Sequence, residues 1–113
     1  MKDFNGEIEY KGIKYKLVFN FNVMEKIQEE YGTLDEWGRL TDAEEPNAKA
    51  VIFGFTEMIN EGIDIANEEN GTDTKLMTFK QVGRMISEIG FNNVVSSLNT
   101  TVVESTKSEE KNA

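Results

Sequence analysis

The sequence predicts an α+β fold, an N-terminal antiparallel β-hairpin packed against a bundle of four or five α-helices. Three observations carry that expectation. Ile13, Tyr15, Leu17, Phe19 and Phe21 alternate with polar or small residues, the period of a half-buried strand. From Met24 the period lengthens, and Met24, Ile27 and Tyr31 fall on one helical face with Glu25, Lys26, Gln28, Glu29 and Glu30 on the other. The strand signal lies at the start of the chain and helical signal follows it, without the alternation that builds a parallel sheet.

The elements follow in order. Glu7-Ile8-Glu9-Tyr10 and residues 13–19 flank Lys11-Gly12, where glycine supplies the positive φ of a tight hairpin turn. The second strand runs straight into a helix that Asn20 or Asn22 can cap through its side-chain oxygen and that Gly32 can close. Thr33-Leu34-Asp35-Glu36 reads as a capping box for a short helix carrying Trp37 and Leu40. Residues 42–47 form a loop, with the only proline, Pro46, just before or within the first turn of the next helix. That helix, residues 47–67, is the longest, and residues 48–55 are apolar but for Lys49 and Gly54. It is expected at the centre, with Val51, Phe55, Met58, Ile59 and Ala66 buried and close packing offsetting the helix cost of Gly54. Residues 68–74 read as an exposed loop. Thr78-Phe79-Lys80-Gln81 is a second capping box, opening a helix with Val82, Met85, Ile86 and Ile89 inward and Gly90 as its stop. A last helix starts near Asn92 or Asn93 with Val94, Val95, Leu98 and Val102 on one face, its end left open by the β-branched residues 100–103. One globular domain over residues 1–104 and a disordered polar tail over 105–113 complete the organisation.

Composition removes most chemistries. A chain of 113 residues suits one domain, burying roughly 65% of its unfolded surface. With no cysteine and no histidine, it has no disulfide, no thiolate or imidazole metal site, and no Ser-His-Asp or Cys-His catalytic set. No apolar run is long enough to span a bilayer, and Met1-Lys2-Asp3-Phe4 lacks a signal-peptide core, so a cytoplasmic protein away from membranes is expected. The net charge of −9 is uneven: residues 25–45 carry eight acids against Lys26 and Arg39, and residues 57–73 carry six acids and no base. By contrast Lys75, Lys80 and Arg84 face only Glu88 over residues 75–90. Such a surface repels phosphate backbones, which argues against nucleic acid as a partner. The acids read either as a solubilising face or as a docking surface for a basic partner.

No motif specifies catalysis, a metal or a cofactor. Asp64, Glu68, Glu69 and Asp73 miss the calcium-loop spacing, and the 21 acids supply carboxylate pairs too freely to identify a glycosidase. Gly83 and Gly90 lack phosphate-loop spacing, and Asn70 and Asn99 match a glycosylation pattern without a secretory signal. Met24, Met58, Met77 and Met85 suit core filling better than an adaptable binding surface.

The order of short words nevertheless resembles a known family. A hairpin, an aromatic-rich strand feeding a helix that ends Glu30-Tyr31-Gly32, and then Thr33-Leu34-Asp35-Glu36-Trp37 are similar to the small tail assembly chaperones of long-tailed bacteriophages and prophages. Asn60-Glu61-Gly62-Ile63, the Thr78 box with Val82-Gly83, and Ile89-Gly90-Phe91 continue the likeness, which covers residues 7–103. The resemblance implies a non-enzymatic protein without cofactors. It would bind the tape measure protein, keep it soluble, help nucleate the tail tube protein and leave before the virion is complete. The resemblance further implies a protein made in two lengths by frameshifting, of which this chain would be the short form.

Phe53 lies away from the Val51, Phe55 and Ile59 face, so a second copy or a client is expected to cover it; self-association is one such arrangement. Val102 and Val103, beside the polar tail, are a second candidate partner contact. The competing readings are a tail or head-tail connector protein retained in the virion and an acidic interaction module.

Overall fold

The computed structural model describes residues 6–112, with side chains described as far as residue 107. Strands β1 (Gly6–Tyr10) and β2 (Ile13–Leu17) pair antiparallel, Ile8 opposite Tyr15 and Tyr10 opposite Ile13. Five helices follow: α1 (Phe21–Tyr31), α2 (Leu34–Thr41), α3 (Ala48–Asn70), α4 (Phe79–Ile89) and α5 (Phe91–Asn112). This is the α+β hairpin-and-bundle architecture that the periodicity predicts. At the hairpin turn both Lys11 and Gly12 have positive φ, 52° and 77°, the geometry that matches the twist of the flanking strands.

The strand is shorter than its alternation. Pairing ends at Leu17, Phe21 opens α1 at 63% exposure, and Ile13 is 54% exposed at the hairpin end. Only Tyr15, Leu17 and Phe19 of that series pack on the core. The buried face of α1 is correspondingly Val23 and Ile27, with Met24 only half-buried, because Asn20 caps the helix by accepting the Val23 amide and so sets its rotation.

Helix α3 is the centre of the bundle. Val51, Phe55, Met58 and Ile59 are fully buried, and Leu17, Ile27, Trp37, Val82, Met85, Val94 and Leu98 close around them. Asn47 caps its start through the Ala50 amide. Two close approaches fix its neighbours. A Cβ on Gly54 would run into the ring of Trp37, whose indole N–H donates to Ala50 O at 3.0 Å. A Cβ on Gly62 would stand 2.7 Å from Lys16 O, so β2 lies directly on the helix, with Val18 N donating to Met58 O.

Several boundaries differ from the sequence reading, each for a local reason. Helix α3 continues to Asn70, so the loop begins at Gly71 rather than at 68, and Ala66 is exposed because the helix outruns β2 beyond Gly62. The loop is held to α3 instead of hanging free: Asn60 bonds both the N–H and the C=O of Met77, and Asn67 bonds Thr72 and Thr74. Thr78 and Gln81 form a reciprocal capping box. Thr33 caps α2 through the Glu36 amide, but the Glu36 carboxylate turns to Arg39 at 3.2 Å, leaving that box half made.

Helix α5 starts at Phe91 and passes through residues 100–103 to Asn112. Two of its hydroxyls bond back into the helix, Thr101 donating to Ser97 O and Thr106 to Val102 O, while the buried Ser105 hydroxyl has no partner among the described residues. Ser105, where the polar tail is expected to begin, is fully buried within the helix, so the proposed boundary at 104 is not a structural break. The side chains of residues 108–113 lie outside the described set.

Candidate functional site

Two open grooves and one polar cluster are the features of interest, and they occupy different faces. The larger groove, about 780 Å³, runs between α3 and α4. Its floor is Ile52 and Phe53 from α3 and Phe79 and Gly83 from α4. Phe53 stacks on Phe79 with ring centroids 5.7 Å apart and meets Tyr31 of α1 edge-on at 5.6 Å. The chain's own aromatics therefore cover part of Phe53, which is half-buried, while Phe79 is left 47% exposed.

The rim reverses the charge of the molecule. Lys49, Lys80 and Arg84 stand around the floor against Glu30 alone, in a chain whose net charge is −9. Lys49 approaches Glu30 only to 3.8 Å with both side chains largely in solvent, a pair worth little in water. Among the described residues Lys80 and Arg84 have no carboxylate within 4.0 Å. Beneath the rim, burial pushes the Tyr31 phenol above its ordinary pKa, Glu30 adds to the rise, and the hydroxyl has no hydrogen-bond partner among the described residues.

The second groove lies between α2 and α5. Leu34, Trp37, Gly38 and Asn99 line it together with Val102 and Val103. Val102 is half-buried and Val103 is 58% exposed. Of the three residues singled out from sequence, the fold thus brings Val102 and Val103 together and places Phe53 in the other groove.

The polar cluster joins α1 to α3. Glu61 accepts from the side-chain amides of Asn20 at 2.6 Å and Asn22 at 3.0 Å, tying the cap of α1 to the central helix. One turn earlier on α3, burial pushes the Glu57 carboxyl up, with Lys26 opposing and Glu61 adding to the rise. Among the described residues no three of His, Cys, Asp and Glu gather closely enough to hold a metal ion, and no helix is long and apolar enough to cross a membrane.

Chemically, the larger groove offers apolar area bordered by cations, which suits binding. Phe79 and Gly83 are the residues the sequence reading did not select as contacts. The signal was available in principle: Phe53 lies on the outer face of α3 and Phe79 at the border of the inward stripe of α4, places where an aromatic is neither core nor ordinary surface. Several of the residues that carry the family resemblance have structural roles. Tyr31 packs on Phe53, Gly32 ends α1 at φ 88°, Asn60 and Glu61 hold Met77 and the α1 cap, and Gly62 admits β2. Comparison of the chain with known protein families, with curated proteins and with solved structures gives no match.

Proposed function

We propose that the chain is a tail assembly chaperone of a long-tailed bacteriophage or prophage. It is a non-enzymatic, cofactor-free protein that binds the tape measure protein in the host cytoplasm, keeps it soluble while tail tube protein assembles around it, and departs before the virion is complete. Support comes from the order of short words across residues 7–103 and, chiefly, from one observation: an apolar groove floored by Phe53 and Phe79 stays open on an otherwise strongly acidic chain. A holder of a long helical polymer needs both properties, a place for apolar side chains to dock and charge to stay dispersed before docking.

The test is co-expression with the tape measure protein of the same genome, reading its soluble fraction and co-elution on a sizing column at low salt. The reading expects more soluble tape measure protein and a joint peak. Equal solubility with and without the chain, together with no complex, would reject it. Finding the chain in purified virions would instead favour a structural tail or head-tail connector component. The coding DNA offers an independent check: an overlapping frame at the 3′ end followed by a very long helical gene is expected.

A further inference from the structure

We infer that the α3–α4 groove seats an amphipathic α-helix of a partner protein whose apolar stripe is flanked by Asp or Glu, an inference that rests on the chaperone reading only for which protein carries that helix. The groove has the form of a helix seat. Phe79, Gly83 and Ser87 recur every fourth residue along α4, one stripe over about 12 Å. Lys80 and Arg84 form a parallel basic stripe one residue further round the same helix. Ile52 and Phe53 make the α3 half of the floor, with Lys49 beside them on the rim.

Gly83 gives the seat its depth. A Cβ there would meet only Ile52 Cδ1 at 4.0 Å, so the chain's own packing does not demand glycine at that position. The missing side chain leaves a notch midway along that row, between Phe79 and Ser87, where another helix can approach closely. Ser87 does not compete for the visitor, since its hydroxyl already donates to Gly83 O at 3.1 Å.

Charge selects the visitor. Carboxylates flanking an apolar stripe at positions i, i+3, i+4 and i+7 would lie over Lys49, Lys80 and Arg84, whereas lysines there would face like charge. A second copy is a poor occupant, because α1, α3 and α4 turn their apolar stripes (Val23 and Ile27; Val51, Phe55 and Ile59; Val82 and Met85) into their own core. Among the described residues α2 and α5 expose single large apolar side chains, Leu40 and Val103, rather than a stripe.

Two fluorescein-labelled helical peptides with the same leucine stripe, one flanked by Glu and one by Lys, test this against the full chain by fluorescence anisotropy. The Glu peptide is expected to bind at least about tenfold more tightly at low salt, with the preference fading as salt screens the rim. The surface double variant Lys80→Glu/Arg84→Glu, checked for native unfolding, should abolish or invert that preference, and Gly83→Leu should weaken the Glu peptide about tenfold or more. Equal binding of both peptides, no binding of the Glu peptide, or unchanged preference in the double variant overturns the inference. So does a dimer of the free chain that Lys80→Glu/Arg84→Glu dissociates, since a second copy would then own the groove. Peptide selectivity without any effect on the tape measure protein would reject the chaperone reading alone; the converse would reject the groove alone.

Discussion

Gly54 on α3 and Gly83 on α4 belong to adjacent helices and meet opposite surroundings. At Gly54 the space a methyl group would take is filled by the Trp37 ring, itself fixed by a hydrogen bond to Ala50 O. At Gly83 that space is open, bounded at 4.0 Å by one flexible isoleucine tip. The difference teaches that a helical glycine has two distinct uses in this fold. One lets the molecule's own elements close on each other and is part of the core. The other leaves room that nothing among the described residues fills, beside exposed Phe79 and a basic rim, on the face proposed above for a partner.

The sealed side should be the costly one to disturb. Phe55, fully buried beside Gly54, leaves a large cavity when truncated, so Phe55→Ala should lose about 3–5 kcal/mol in denaturant unfolding. A loss below about 1 kcal/mol would deny α3 its central place. Gly54→Ala sharpens the contrast: alanine improves helix propensity, yet the Trp37 ring must move, and a net loss of about 1–3 kcal/mol is expected.

On the open side the sign should reverse. Gly83→Ala should gain about 0.5–1 kcal/mol, because the propensity benefit meets no clash. A loss similar to that at Gly54 would mean the groove is closed in solution.

The smallest effect lies at the polar cluster outside both regions. Burial raises the Glu57 carboxyl, so the folded state holds that proton more tightly than the unfolded chain, and stability falls as pH rises from the ordinary carboxylate value through the raised one. Glu57→Gln should therefore raise the unfolding midpoint slightly at pH 7, after loss of the Lys26 attraction, and change it least in acid, where both states are protonated. A lower midpoint at pH 7 would show that Lys26 outweighs burial.

How far this contrast was legible in the sequence depends on which side is considered. The sealed side was largely readable, since Val51, Phe55 and Ile59 announce a buried face by spacing and Gly54 among large residues announces close packing. Its partner, Trp37, was not, because a tertiary contact across thirteen or more residues leaves no local pattern. Boundaries slipped where side chains chose between local partners: Asn20 set the rotation of α1, and Asn60 and Asn67 fixed a loop that composition reads as free. On the open side the sequence marked Phe53 as out of place, but its pairing with Phe79 and the clustering of Lys49 with Lys80 and Arg84 exist only once α3 and α4 pack together. Val102 and Val103 were legible as a pair, and they line a separate groove.

The claim that ties these strands together is that the α3–α4 face is kept for a client. Hydrogen exchange on the chain alone and in complex with the tape measure protein tests it most directly. Slowed exchange of backbone amides in α4 around Phe79, Gly83 and Ser87, with the interior of α3 protected equally in both states, is the result expected. Protection confined to α2 and α5 around Val103, or no change on α4 in a complex that demonstrably forms, would contradict it.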